Sequence, residues 1–143
     1  MASSLVLYQS WVENLAKSAN LSSDSFVVGL TSSTYTPSAS THSTISDITN
    51  EFSGSGYSRQ AIGSVTFSRS GAVVTLDGAD VVFTASGGSI IARYFFIFDD
   101  TVSGDPLVGY GLLDTAPADV TVTTGNTLTL AWNASGITTN TIV

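Results

Sequence analysis

Cysteine is absent from this 143-residue chain and charge is scarce: four Lys or Arg, eleven Asp or Glu, and one histidine. Without a thiol there is no disulfide framework, no cysteine nucleophile and no zinc-thiolate site, so packing or assembly must supply the stability. The formal net charge is −7, and the four cations, Lys17, Arg59, Arg69 and Arg93, are scattered along the chain. Nucleic acid demands a clustered basic surface, which excludes that class of partner. The lone His42 lies in a Ser/Thr-rich stretch with no nucleophile-elbow signature, so neither a Ser-His-acid triad nor other enzymatic chemistry is expected. No apolar run approaches the roughly 18 residues of a membrane-spanning helix. The apolar start at Leu5 is interrupted by Gln9 and Ser10 and has no basic residues ahead of it, which does not read as a signal peptide.

What is present is apolar and neutral. Hydrophobic residues make up 43% of the chain and charged ones 10%, which excludes a disordered tail and predicts a single domain, 1–143, with one core. Soluble surfaces commonly carry roughly 25–35% charged residues. A Ser/Thr exterior therefore points to coverage by neighbouring subunits or a lattice, with a secreted low-charge domain as the alternative.

The pattern along the chain predicts a mainly β protein. Apolar residues recur at helical spacing from Leu5 through Tyr8, Trp11, Val12 and Leu15 to Ala19, the single predicted helix, with Lys17 and Asn20 suiting its end. Its aromatic face must pack, either on the chain's own sheet or on another subunit. Strands are predicted at Ser25–Thr31, Tyr57–Arg69, Ala72–Asp77, Asp80–Ala85, Ile90–Asp99 and Leu107–Leu113, followed by a hairpin carrying Val120, Val122, Leu128, Leu130 and Trp132. The almost unbroken apolar run Ile90–Asp99 fits a strand buried on both faces. Residues 32–49, rich in Ser and Thr and holding Pro37 and His42, form a long connection, either an interaction arm or a flexible segment. Residues 134–143 read as an arm able to add to a neighbour's sheet. About eight short strands with Gly-rich turns favour an antiparallel β-sandwich, jelly-roll-like, with one short N-terminal helix.

The most organised local stretch is Asn50-Glu51-Phe52-Ser53-Gly54-Ser55-Gly56-Tyr57-Ser58-Arg59. Gly54 and Gly56 permit a shaped turn, Tyr57 restarts an alternating pattern, and Glu51 and Arg59 flank the turn where they can pair across it. Asp99, Asp100 and Asp105 offer carboxylates near one turn, but without EF-hand spacing; side-chain hydrogen bonds within a turn account for the same residues. No carboxylate pair with glycosidase character declares itself, and the aromatics available to line a sugar groove are more commonly core. No metal or other cofactor is expected.

A resemblance joins these pieces. Tyr8 in a short N-terminal helix, Gly29-Leu30-Thr31 with Tyr35-Thr36-Pro37, Asn50-Glu51 with Gly54-Ser55-Gly56-Tyr57-Ser58-Arg59, and Ala92-Arg93 resemble small virion proteins of tailed bacteriophages, of the head-decoration (cement) or accessory structural type. Asp105-Pro106-Leu107-Val108-Gly109-Tyr110 and Leu128-Thr129-Leu130-Ala131-Trp132 ahead of Gly136-Ile137 continue the likeness over most of the chain. The resemblance implies a structural protein on the capsid surface, bound to the major capsid protein and assembled as a homo-oligomer, a trimer. Tyr8, Trp11, Tyr35, Pro37 and His42 are then candidate interface residues. A tail-fibre, baseplate or other receptor- or carbohydrate-binding β module is the alternative.

Overall fold

The computed structural model describes residues 3–141. Strands β1 (Val6–Leu7), β9 (Leu107–Leu112), β8 (Tyr94–Asp99), β2 (Phe26–Thr31) and β3 (Gln60–Ala61) lie in that order in one antiparallel sheet. Three smaller antiparallel sheets complete the fold: β7 (Ile90–Ala92) with β10 (Val120–Val122), β6 (Val81–Thr84) with β11 (Thr127–Leu130), and β12 (Thr138–Thr141) with β5 (Val73–Asp77) and β4 (Thr66–Ser70). Phe26, Val28 and Leu30 of β2 and Phe95 and Ile97 of β8 share one core with Leu76, Phe83, Ile90, Val122 and Leu130 of the smaller sheets. The arrangement is a β-sandwich, mainly β as its sequence predicts.

The large sheet is buried on its second face too. Alternation sends Phe96 and Phe98 of β8 the opposite way from Phe95 and Ile97, into a separate cluster with Tyr8 and Leu107, against which Ile45, Ile48 and Tyr110 pack. Burying a large apolar side chain stabilises by about 1.5–3 kcal/mol, so β8, five of whose six residues are buried, contributes to two cores at once. The cover over this second face comes from residues 32–49. Tyr35 is buried, and a 3-10 turn at Ile45–Asp47 is closed by a capping box in which Thr44 and Asp47 satisfy each other's backbone amides. Backbone bonds from Gln9 to Ala39 and from Leu107 to Ser43 fasten the middle of the segment to the chain ahead of α1 and to β9. It is neither a free arm nor an unstructured connection.

Several sequence expectations require correction. The helix α1 spans Gln9–Lys17, not 5–19. Residues 3–8 run extended along β9, with Val6 opposite Tyr110 and Leu7 opposite Gly109, because the open sheet edge offers ladder bonds that a marginal helix end cannot match. The run Tyr57–Arg69 is two strands: Ser64 adopts φ 51° after Gly63, and the backbone leaves one sheet for another. Ile90–Asp99 is likewise two strands. Buried positions fall at 90 and 92 and then at 95 and 97, so the phase shifts by one residue at Arg93, where the chain crosses between layers. Residues 138–141 pair with the chain's own β5 and are not a projecting arm; 142–143 lie outside the described residues. Twelve strands thus stand among the described residues in place of eight.

Gly29 is the cross-strand partner of Phe96, whose ring lies over it; a Cβ there would meet the ring at 2.1 Å. Gly29→Ala should therefore destabilise by about 1–3 kcal/mol through overpacking, measured by chemical denaturation. A loss below about 0.5 kcal/mol, the level of an ordinary surface change, would remove Phe96 from that position.

Candidate functional site

The stretch 50–59 folds into a tie between the two layers. Glu51 forms a β-bridge with Thr31 beside the sheet, and Gly54, Ser55 and Gly56 in turn take φ of 86°, 52° and 73°. That left-handed turn swings Tyr57 back so that its ring stacks on Phe83 at 5.9 Å and meets Phe52 edge-on at 5.7 Å. Its hydroxyl accepts the backbone N–H of Leu30 at 2.9 Å and donates to Glu51 Oε1 at 2.8 Å. Arg59 closes the group with two bonds, Nε to Glu51 Oε1 at 2.9 Å and Nη2 to Oε2 at 2.7 Å, and its guanidinium lies 5.2 Å from the Phe98 ring centre. The pairing anticipated between Glu51 and Arg59 is present. No sequence pattern marks Tyr57 as the stand-in for a missing strand partner: β3 pairs with Val27 and Val28, and Leu30 lies just beyond its reach.

Burial pushes the Tyr57 phenol well above its ordinary range, with the Glu51 carboxylate adding to the rise, so the hydroxyl remains a donor. The Glu51 hydrogen bonds raise Arg59 further above its already basic value. Asn50 also sits at positive φ, 55°, and its carbonyl accepts from Ser32. All six signature residues therefore shape one structural unit, and nothing in it is arranged as a nucleophile, a base or an open coordination site.

The candidate interface residues separate into two kinds. Tyr8, Trp11 and Tyr35 are 0%, 2% and 1% exposed, so none of them is available to a partner. Trp11 packs edge-on against Phe26 at 6.0 Å, which places the helix on the chain's own sheet. Pro37 and His42 are half-buried on the covering segment. Tyr8, Tyr35 and His42 instead form a chain of hydrogen bonds, Tyr8 Oη to Tyr35 Oη at 3.0 Å and Tyr35 Oη to His42 Nδ1 at 2.9 Å. Three residues that read separately in the sequence are thus joined inside the molecule.

Asp99, Asp100 and Asp105 do not converge as a cage, and no group of three His, Cys, Asp or Glu side chains suited to a metal forms among the described residues. Asp99 is fully buried. Its Oδ1 accepts the N–H groups of Thr101 and Val102, at 2.9 and 3.2 Å, which is the turn-holding role. Burial raises its carboxyl above the usual carboxylate range, against the two backbone donors, and the nearby Asp24 raises it further. Asp24 was missed by the sequence reading, although it lies just ahead of the strand whose Phe26 pairs with Asp99.

Two surface features also went unread. A groove of about 690 Å³ is lined by the buried Phe95 and Leu130 together with Leu5, Trp132, Asn133 and Thr138; every residue lining it is uncharged. Trp132 is held by Nε1 donating to the Ala79 carbonyl at 2.9 Å. The second feature is β4, an edge strand exposed at all five positions, with Phe67 44% exposed. The chain matches no protein-family model, no curated protein and no solved structure.

Two stability measurements check this description. Tyr57→Phe leaves the Leu30 N–H without its partner and should cost about 1–3 kcal/mol, whereas Arg59→Ala removes a pair whose arginine is 41% exposed and should cost about 1 kcal/mol or less. The reverse order in urea denaturation would dethrone Tyr57 as the centre of the tie. For Asp99, a folded pKa above the unfolded one means its contribution is complete at low pH and is lost as pH rises through the folded value. Asp99→Asn keeps the Oδ1 acceptor and cannot ionise, so its Tm should gain on wild type as pH rises above about 4, the ordinary Asp value; a difference that stays constant from there upward would show that Asp99 does not hold its proton.

Proposed function

We propose that this chain is a structural virion protein of a tailed bacteriophage, a capsid decoration or cement protein that binds the assembled shell as a homo-oligomer. The observation that carries the reading is the surface. The sheet β12-β5-β4 ends in an edge strand, Thr66–Ser70, which pairs with β5 on one side and, among the described residues, presents Phe67 and an open backbone edge on the other. Long open edges are hazards that proteins blunt or cover, and a neighbouring subunit is a cover. Val73, Val82, Ile91 and Val12 are also exposed on a chain with only 10% charged residues. Such a surface suits permanent contact more than free solution. The mechanism is mechanical: an oligomer that touches several capsid subunits turns weak individual contacts into firm attachment, since each later contact forms at high effective concentration. Enzymatic chemistry has no part in this reading.

The groove beside Trp132 favours a second reading, a receptor- or carbohydrate-binding module, because a fixed indole and a neutral hydroxyl and amide rim suit a sugar face. Cryo-electron microscopy of particles carrying this protein distinguishes the two. The cement reading expects density across the shell lattice at positions of local threefold symmetry. Density confined to tail fibres or baseplate supports the second reading, and absence from particles contradicts both.

A further inference from the structure

We infer that β4 pairs with β4 of a second copy of this chain, antiparallel about a two-fold axis through Ser68, so that Phe67 of each copy receives the guanidinium of the other copy's Arg69. The pairing names the neighbour that covers the open edge, and it rests on the cement reading for its place on a shell. It begins with charge. Lys17, Arg59 and Arg93 are paired with Glu13, Glu51 and Asp119. Arg69 alone of the four cations has no carboxylate partner among the described residues; its Nη1 donates to the Gly71 carbonyl at 2.9 Å. A hydrogen bond in the guanidinium plane leaves the flat faces free to stack on an aromatic ring. Phe67 stands two residues away on the same face of the strand and is 44% exposed.

The ladder already formed sets the register of a new one, because hydrogen-bonded and non-hydrogen-bonded pairs alternate along antiparallel strands. Gly71 and Ala72 form a two-residue turn between Ser70 and Val73, which face each other, so that closing pair carries the turn's hydrogen bond. Counting back, Ser68 and Thr66 aim their N–H and C=O groups at β5, while Phe67 and Arg69 aim theirs at the open edge. The far side of β5 agrees. The Leu76 carbonyl accepts from Ile137 N–H at 2.8 Å, so the Leu76 backbone faces β12, which turns that of its cross-strand neighbour Phe67 away from β5. A new strand must therefore bond to Phe67 and Arg69. An axis at Ser68 does this for both copies, sets Phe67 opposite Arg69 of the second copy, and overlaps the whole of Thr66–Ser70. An axis at Arg69 would set like charges opposite each other, which is destabilising, and one at Phe67 would leave Arg69 opposite Val65; each overlaps only part of the strand. The other open ends of the larger sheets, β1, β3 and β12, carry neither an aromatic nor a cation, so β4 itself is the complement of β4. A contact of five residues a side is small beside the roughly 800 Å² per partner of stable complexes, which suits a link between copies already held on a lattice.

The test is disulfide trapping, which a chain without cysteine makes clean. About the proposed axis Ser68 faces its own counterpart as a non-hydrogen-bonded pair, at a Cα separation of about 4.5 Å, within the span of a disulfide. Purified Ser68→Cys, oxidised with diamide, should form a linked dimer at least about tenfold faster than Thr66→Cys, whose two thiols would lie about 14 Å apart along the strands. Thr66→Cys mixed with Ser70→Cys should link at a rate close to that of Ser68→Cys, because the axis sets those positions opposite each other. Adding Arg69→Ala to Ser68→Cys should slow the linkage by about tenfold, the scale of losing the cation–π contact on both copies. The Tm of each reduced variant verifies that it is folded. Equal rates for Ser68→Cys and Thr66→Cys would overturn the pairing, and linkage indifferent to Arg69→Ala would overturn its Phe67–Arg69 contact. These outcomes are separate from that of the cement reading. Absence from particles with preferential linkage of Ser68→Cys removes that reading and upholds the pairing; shell density without preferential linkage does the reverse.

Discussion

The fold depends on the burial of β8 from both sides. Tyr94–Asp99 runs through the middle of the large sheet, paired throughout with β2 on one side and with β9 on the other. Its alternate phenylalanines enter two separate clusters. A sheet of this kind needs two covers. The smaller sheets supply one, and residues 32–49 supply the other, although their composition is that of a loop. Tyr35 belongs to that second cover and Tyr8 to the cluster beneath it, which is why aromatic residues able to serve at an interface are inside the molecule.

The Glu51–Tyr57–Arg59 tie follows from the same constraint. Where β3 stops, the backbone of β2 still needs a donor's partner at Leu30, and a tyrosine delivered by a three-residue left-handed turn supplies it. The turn is itself keyed into the other layer, since Ser86 N–H donates to the Ser55 carbonyl at 2.7 Å and a Cβ on Gly56 would strike Ser86 at 2.8 Å. The residues with the most specific local pattern therefore serve the scaffold. The surface left for function is what the tie and the two covers do not use: the β4 edge, the scattered exposed aliphatic residues, and the groove beside Trp132.

Fold class was legible because Ser/Thr-rich strands, Gly turns and one helical stretch are local patterns. So was the double burial of the 94–99 run, since an unbroken apolar sequence has no polar face to offer. Strand boundaries were not. An unbroken apolar run hides a phase shift, so the crossing at Arg93 was invisible, and alternation from Tyr57 to Arg69 continued through a break set by the backbone at Ser64. The Glu51–Arg59 pair was legible from opposite charges across a glycine turn. The links from Tyr57 to Leu30 and from Tyr8 to His42 were not, because they join residues 27 and 34 positions apart through hydroxyls that a sequence pattern does not mark. The order of residues 32–49 was hidden for the same reason: two apolar anchors, Ile45 and Ile48, and one buried tyrosine are few against a background of Ser and Thr.

The most direct measurement is limited proteolysis of the isolated chain with a protease of broad specificity, the first cuts mapped by mass spectrometry. If residues 32–49 are the second cover of the sheet, early cuts fall in the exposed β4–β5 hairpin around Ser70–Val73 and spare the interval from Tyr35 to Ile48. First cuts inside that interval, with the hairpin intact, would contradict the two-cover account of the fold.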